Sequence, residues 1–312
     1  MKKILITGPL GQDGTILTKI LNKDYKLFGV CRTNTDFKRL REHKEQHDIE
    51  LFCLNLCDLL QVEQLLKDIK PDIIVNFAGE TNVIEPWKDT NKTYEQNFLI
   101  PSNLLKNIVN LELNSFFFQS SSSLMFARSK DDVINENSAY NPMYPYGISK
   151  LSAHLLMKEY RIKYGLKCSS GVFFNHESSL RGEKFVTKKV CNFIKKINAG
   201  EDIKLNLFDL NIYRDISHAY DFMSGVKLIL DNQINDDFIF SSGKLTNMLH
   251  LVKLFFDYNN IYFEKYVNYS ESIIENSAID SDYRISGDNS KLKSIGWSPK
   301  YDTIDIIKEM SN

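Results

Sequence analysis

The chain is poor in several things, and each scarcity narrows what it can be. Cysteines number 5 in 312 residues, and Cys31, Cys53, Cys57, Cys168 and Cys191 lie mostly in apolar segments. An odd, sparse set argues against a disulfide framework and suits reduced, buried thiols in a cytoplasm. Cys53 and Cys57 have the spacing of half a metal site. No second Cys/His pair answers them, so no metal is expected. Charge of one sign is missing too: 39 Lys+Arg face 40 Asp+Glu, for a formal net charge of −1. Nothing global therefore points to nucleic acid or to an anionic membrane. No stretch approaches the roughly 18 apolar residues of a membrane span. Lys2-Lys3 before Ile4-Leu5-Ile6 imitates a signal peptide, but the apolar run is short and Gly8-Pro9 ends it. Low-complexity segments and internal repeats are absent.

What is present is a globular composition, 43% hydrophobic and 25% charged, long enough to bury a large core. Short apolar runs alternate with longer amphipathic stretches. The runs Lys3–Thr7, Lys26–Cys31, Glu50–Leu54, Asp72–Phe77, Ser115–Ser120 and Lys167–Phe173 predict strands. Between them, Gly14–Lys23, Leu60–Lys70, Thr93–Asn110 and Pro145–Tyr164 predict helices, and the charged segment Thr33–Lys44 predicts a long loop. This rhythm implies an α/β fold, a Rossmann-type doubly wound parallel sheet. After about residue 175 the alternation breaks, with helical patterns at Phe185–Ala199 and Ile216–Asp231 among short strands and polar loops. The expected division is a dinucleotide-binding domain over 1–174, with a return segment near 210–240. A smaller α/β substrate-binding lobe, from 175–209 and 241–312, would lie over the carboxyl ends of the strands, where open α/β sheets bind ligands.

Two segments carry chemistry. The first strand runs into Gly8-Pro9-Leu10-Gly11-Gln12-Asp13-Gly14. Three glycines at this spacing let backbone N–H groups approach a pyrophosphate, and the following helix adds its positive end. Gln12 and Asp13 belong to the same cofactor turn. At the end of the second strand, Arg32 stands where an acidic residue would accept the ribose 2′-OH of NAD. A guanidinium there pairs with a 2′-phosphate instead, so NADP is expected rather than NAD. The other segment is Tyr144-Pro145-Tyr146-Gly147-Ile148-Ser149-Lys150. A phenol has a pKa of about 10 in water. A lysine four residues later shares its helix face, favours the phenolate and can also hold the nicotinamide ribose. Ser120-Ser121-Ser122-Ser123 ends an apolar strand upstream and supplies a hydroxyl for the reacting oxygen. One of these hydroxyls, with Tyr146 and Lys150, then forms a set for proton exchange coupled to hydride transfer.

With these residues in place, the chain resembles the extended short-chain dehydrogenase/reductases, and within them the GDP-mannose 4,6-dehydratase branch. The turn Gly11-Gln12-Asp13-Gly14 is typical of that branch. Residues Phe174–Lys189 are similar to its nucleotide-sugar loop at nearly every position, and Arg214-Asp215-Ile216-Ser217-His218-Ala219 follows its Arg-Asp-x-x-His-Ala. The resemblance implies that Asn175, Val186, Lys189 and Arg214 contact the GDP moiety of a GDP-sugar, with Arg284 near a further nucleotide-binding arginine. It places Asn55, where an Asp is common, and Leu56 beside the adenine. It also implies a homodimer or homotetramer, in which the loop after the second strand takes part.

The chain departs from that branch at the chemistry. The resemblance makes Ser122 the catalytic hydroxyl, and Leu124 stands two residues after it, where the dehydratase carries the Glu that removes the C5 proton of the 4-keto sugar. Leucine accepts no proton, and general-base help is worth about 10²–10⁴-fold. Ala127 replaces a usual Gly, and Glu80, ending the fourth strand, replaces a Gln. Ketoreductases of the superfamily also lack the Glu. The expected activity is therefore NADP(H)-dependent hydride transfer at C4 of a GDP-linked hexose or heptose, as a GDP-4-keto-sugar reductase. The alternatives are a GDP-mannose 4,6-dehydratase, or a close GDP-sugar dehydratase, with Glu80 as displaced base, and a catalytically silent dinucleotide-binding sensor.

Overall fold

The computed structural model describes residues 1–312 apart from 36, 82–86, 88, 209 and 271–282. In chain order the strands are β1 (Lys3–Thr7), β2 (Lys26–Cys31), β3 (Ile49–Cys53), β4 (Ile73–Asn76), β5 (Phe116–Ser122), β6 (Val133–Ile134) and β7 (Cys168–Phe173). There follow β8 (Asn175–Glu177), β9 (Leu205–Phe208), β10 (Tyr213–His218), β11 (Asp237–Phe240), β12 (Leu245–Asn247), β13 (Val267–Ser270) and β14 (Ser286–Gly287). Seven of them form one sheet in the order β11-β7-β5-β4-β1-β2-β3, with every pairing parallel. The order reverses between β1 and β4, which opens a crevice at their carboxyl ends.

Both faces of this sheet are buried, which is why its strands read as unbroken apolar runs. Ile4, Ile6, Ile73, Val75, Phe116 and Phe118 point to one core, and Leu5, Ile74 and Phe117 to the other. Helices α1 (Gln12–Leu21), α2 (Phe37–Gln46), α3 (Leu59–Ile69), α4 (Thr90–Tyr94), α5 (Ile100–Asn110) and α6 (Tyr144–Tyr164) cross between the strands. Beyond them come α7 (Val186–Asn198), α8 (Ala219–Asn232), α9 (Met248–Tyr258), α10 (Phe263–Tyr266), α11 (Ser290–Ser294) and α12 (Thr303–Ser311). A third core joins Val190, Ile194, Leu251, Phe255, Phe256 and Ile307 from α7, α9 and α12. Beside it, β12, β10 and β8 make a separate three-stranded sheet.

Several local expectations need correcting. The charged segment 33–44 is not one long loop, because α2 begins at Phe37; its i,i+4 pairs Lys38–Glu42 and Arg41–Glu45 support the helix. Residue 36 of that segment lies outside the described residues. The helix expected to start at Ile216 starts at Ala219, since Ile216–His218 are strand residues paired with Asn175–Glu177. The helix expected at Thr93 starts at Thr90 and is interrupted at Glu95–Leu99 by a π turn. Pro101 follows in the first turn of α5 and has no N–H to donate, so the wider turn absorbs the break. β4 ends at Asn76, which leaves Glu80 in the connection beyond it rather than on the strand.

Candidate active site

The glycine turn lies at the crevice. Gly8 donates to the Val30 carbonyl (3.1 Å) and Gly11 to the Gly8 carbonyl (3.2 Å). Helix α1 then starts at Gln12 with Gly11 as an N-cap that supplies no side-chain hydrogen bond. Its first N–H groups are thus left for an anion. A Cβ on Gly14 would lie 2.3 Å from the Gly8 carbonyl oxygen and 2.7 Å from Pro9 Cα, so the turn closes only around glycine. Arg32 is exposed just past β2, Asn55 is exposed past β3, and Leu56 beside it is buried. The side chains of Gln12 and Asp13 do not face the turn. Gln12 Nε2 donates to the His176 carbonyl (3.1 Å), Ser178 Oγ donates to Gln12 Oε1 (2.8 Å), and His176 Nε2 donates to Asp13 Oδ1 (2.9 Å).

Ser122 ends β5 and Tyr146 stands in the first turn of α6, with Lys150 one turn later. The approach of α6 is set by backbone. Met143 N–H donates to the Leu124 carbonyl (3.2 Å), and a Cβ on Gly147 would come within 2.6 Å of that same oxygen. The Tyr146 phenol hydrogen-bonds Ser122, while Ser122 Oγ also accepts from Leu124 N–H at 3.2 Å. Lys150 Nζ donates to the Ser120 carbonyl (3.2 Å) and lies 5.9 Å from the Tyr146 ring centroid. The structure therefore brings together the Ser, Tyr and Lys expected from sequence.

Electrostatics at the cleft pull in two directions. Burial pushes the Tyr146 phenol up to about 12, against the Ser122 hydrogen bond and the Arg181 charge, while Asp13 and Glu80 push the same way as burial. Burial lowers the Lys150 ammonium to about 8, opposed by Asp13. Burial works against the charge on Asp13, but His176, Gln12 and Arg181 together outweigh it and hold this carboxyl below its ordinary value. Three groups that sequence reasoning did not single out thus bear on the site: Arg181, His176 and Asn97. The Arg181 guanidinium stacks on the Phe185 ring (3.5 Å) with Nε 3.3 Å from Glu177. Asn97, in the π turn, accepts from Glu80 N–H (2.9 Å) and donates to Ser149 Oγ (3.1 Å). The first two lay inside the loop segment matched by resemblance. No periodicity marks a residue in a π turn, and nothing in sequence announced the third.

The residues expected at the nucleotide-sugar end sit on several elements. Asn175 opens β8 opposite Ile216 of β10. Val186 is the first residue of α7, and Lys189 is exposed at its next turn. Arg214 is buried on β10, donates to the Tyr213 and Tyr283 carbonyls (2.7 and 3.2 Å) and stacks on the Tyr283 ring. Arg284 is exposed and lies 4.7 Å from the Tyr213 ring centroid.

Among proteins built on a parallel sheet of this order, a tyrosine and lysine one helical turn apart beside a serine-tipped strand set apart the extended short-chain dehydrogenase/reductases, and this chain is one of them. It can be assigned more narrowly. The family model described as GDP-mannose 4,6 dehydratase matches residues 5–310, and the chain belongs to that family. GDP-mannose 4,6 dehydratase 2 of Arabidopsis thaliana is 29% identical over 323 residues, covering 99% of this chain and 86% of that protein. GDP-mannose 4,6-dehydratase of Yersinia enterocolitica is 29% identical over 345 residues, covering 99% and 93%. The fold is shared with RMD from Pseudomonas aeruginosa complexed with NADPH (TM-score 0.81, 20% identity, 100% and 98% covered). It is shared equally with dTDP-glucose 4,6-dehydratase from Bacillus anthracis in complex with NAD (TM-score 0.84, 18% identity, 100% and 96% covered). Among the described residues no helix is long and apolar enough to cross a membrane, and no group of three His, Cys, Asp or Glu is placed to hold a metal.

Proposed function

We propose that the protein is an NADP(H)-dependent oxidoreductase acting at C4 of a GDP-linked hexose or heptose, and that it reduces a GDP-4-keto-sugar. The observation that carries this reading is the intact Ser122–Tyr146–Lys150 set beside Leu124, a side chain that accepts no proton. The turn residues Gly8, Gly11, Gln12, Asp13 and Gly14 fit a dinucleotide: the α1 N-terminus is uncapped, and a Cβ at position 14 would fill the cradle. Arg32 fits a 2′-phosphate, and Asn55 and Leu56 the adenine side. An NADPH-bound relative in fold is consistent with this choice. Bound there, the dinucleotide supplies the hydride. Tyr146 donates the proton to O4, Ser122 holds that oxygen, and Lys150 favours the phenolate left behind and holds the ribose. Asn175, Val186, Lys189, Arg214 and Arg284 would hold the GDP moiety, the cations suiting its phosphates. None of the five cysteines is in a disulfide, which fits a reducing cytoplasm.

A second reading, GDP-mannose 4,6-dehydratase activity with a displaced base, is favoured by the family match and by one observation. The Glu80 carboxylate is close enough to Tyr146 to oppose its ionisation. If Glu80 takes the C5 proton, Glu80→Gln stops water loss and leaves dinucleotide binding unchanged; normal product formation by that variant removes it from the mechanism. The deciding experiment offers the purified protein GDP-mannose alone, or GDP-4-keto-6-deoxymannose with NADPH, and follows NADPH absorbance together with product mass. NADPH consumption with addition of two hydrogens is the expected result. Loss of one water from GDP-mannose would establish the dehydratase instead.

A homodimer or homotetramer fits the outer face of α6, where Ile148, Leu155 and Ile162 recur at seven-residue spacing with 42%, 43% and 75% exposure. Side chains so spaced share one helix face. Sedimentation should show at least a dimer, and Leu155→Glu should shift it towards monomer.

A further inference from the structure

A glycine turn that cradles a pyrophosphate needs only its backbone; its side chains are free for other work. Here both non-glycine side chains between Gly11 and Gly14 are committed to one partner segment, 176–178. The Gln12 amide is used at both ends, by the His176 carbonyl and the Ser178 hydroxyl. Asp13 Oδ1 lies 2.9 Å from His176 Nε2, and the other ring nitrogen, Nδ1, lies 2.8 Å from the Phe174 carbonyl oxygen. The imidazole is therefore fixed from both sides.

That partner segment runs directly into the sugar-nucleotide end. Glu177 accepts from Thr187 Oγ1 (2.6 Å) in the first turn of α7, one residue from Val186 and two from Lys189. Lys188 Nζ donates to the Ser179 carbonyl (2.6 Å). β8 itself pairs with β10, which carries Arg214. The segment 176–179 is thus hydrogen-bonded on one side to the N-terminus of α1 and on the other to an element proposed to hold GDP.

We propose that Gln12 and Asp13 are positioning residues that make dinucleotide binding and sugar-nucleotide binding mutually dependent. The inference rests on the ligand assignments proposed above. When an anion settles on the α1 N-terminus, the turn is held in one arrangement, and the same residues hold 176–178 and α7 in theirs. The second ligand then meets an ordered site. Linkage requires the effect to be equal in both directions.

The test is a titration of the purified protein with NADP⁺, alone and in saturating GDP, and the reciprocal titration with GDP. The wild type should bind each ligand at least about fivefold more tightly when the other is present, the low end of typical coupling. Ser178→Ala, which removes the hydroxyl that Gln12 accepts from, should bring that factor to below about twofold while each ligand alone binds nearly as in the wild type. Gln12→Ala, which also alters the cofactor turn, should bring the coupling factor below about twofold whatever it does to NADP⁺ affinity itself, and the double variant should lose no more coupling than either single one. Asp13→Asn, which keeps an acceptor for His176, should retain part of the coupling. Independent binding in the wild type overturns the inference and leaves the functional reading standing. So does an undiminished factor in both single variants. Failure of the wild type to bind either ligand overturns the functional reading, and the inference with it.

Discussion

Single residues decide the chemistry. Tyr146→Phe removes the oxygen proposed to give the proton and leaves the ring in its place. Turnover should fall by about 10²–10⁴-fold, while NADPH still quenches or shifts protein fluorescence on binding. Undiminished turnover would remove Tyr146 from its proposed role. Gly14 is decisive for a different reason. Its missing Cβ would overlap backbone atoms of Gly8 and Pro9, and backbone has no rotamer with which to move aside. Gly14→Ala should cost about 1–3 kcal/mol of stability, as overpacking does, and weaken dinucleotide binding, read together in one thermal melt with and without NADP⁺.

At the scale of elements, the Arg-Asp pair at 214–215 divides its labour. Arg214 stacks on Tyr283 near the proposed ligand. Asp215 turns inward and accepts from Ser242 N–H and Oγ, both 2.7 Å, from Gly243 N–H (3.0 Å) and from Gly287 N–H (3.1 Å). Burial pushes its carboxyl above the ordinary carboxylate value, and those donors offset only part of the rise. One side chain thereby ties β10 to the segment after β11 and to β14. Asp215→Ala strands the buried Gly287 N–H and removes the acceptor of the half-buried Ser242 donors; one stranded buried donor costs about 1–3 kcal/mol. A loss of about 1–3 kcal/mol should appear as a lower urea midpoint. A change below about 1 kcal/mol would mean that water replaces the carboxylate easily.

Across the whole molecule, α12 at the C-terminus secures the loop after β8. Glu309 accepts from Ser179 N–H (2.9 Å) and Oγ (2.7 Å), and from His218 Nε2 (2.6 Å). Partial burial works against its charge, but these donors outweigh it and hold the carboxyl at about 2, below its ordinary 4.5. A depressed carboxyl stabilises the folded state above its unfolded value and loses that contribution as pH falls through the folded one. The wild type should therefore exceed Glu309→Gln in urea resistance at pH 6, and the gap should narrow as pH falls from 4.5 towards 2. A gap that is independent of pH would assign the difference to packing rather than to the carboxylate's charge.

Much of this was legible in the chain itself. β1 and β2 fall where the apolar runs predict them, because both faces of a parallel sheet demand apolar residues and a turn must end each run. The glycine turn and the Tyr-x-x-x-Lys helix are equally local: each needs particular residue types at fixed spacing, so it shows in one dimension. The absence of a carboxylate at Leu124 is also a property of sequence alone. What only the tertiary structure decided are contacts between residues far apart in the chain. Gln12 meets Ser178 across 166 positions, and Glu309 meets Ser179 across 130. Polar side chains such as these carry no periodicity, and what they bind depends on which surfaces the packed cores bring together. The fold and the proposed reacting trio are therefore written locally, while the fastening of the two proposed ligand ends to one another exists only once the chain is folded.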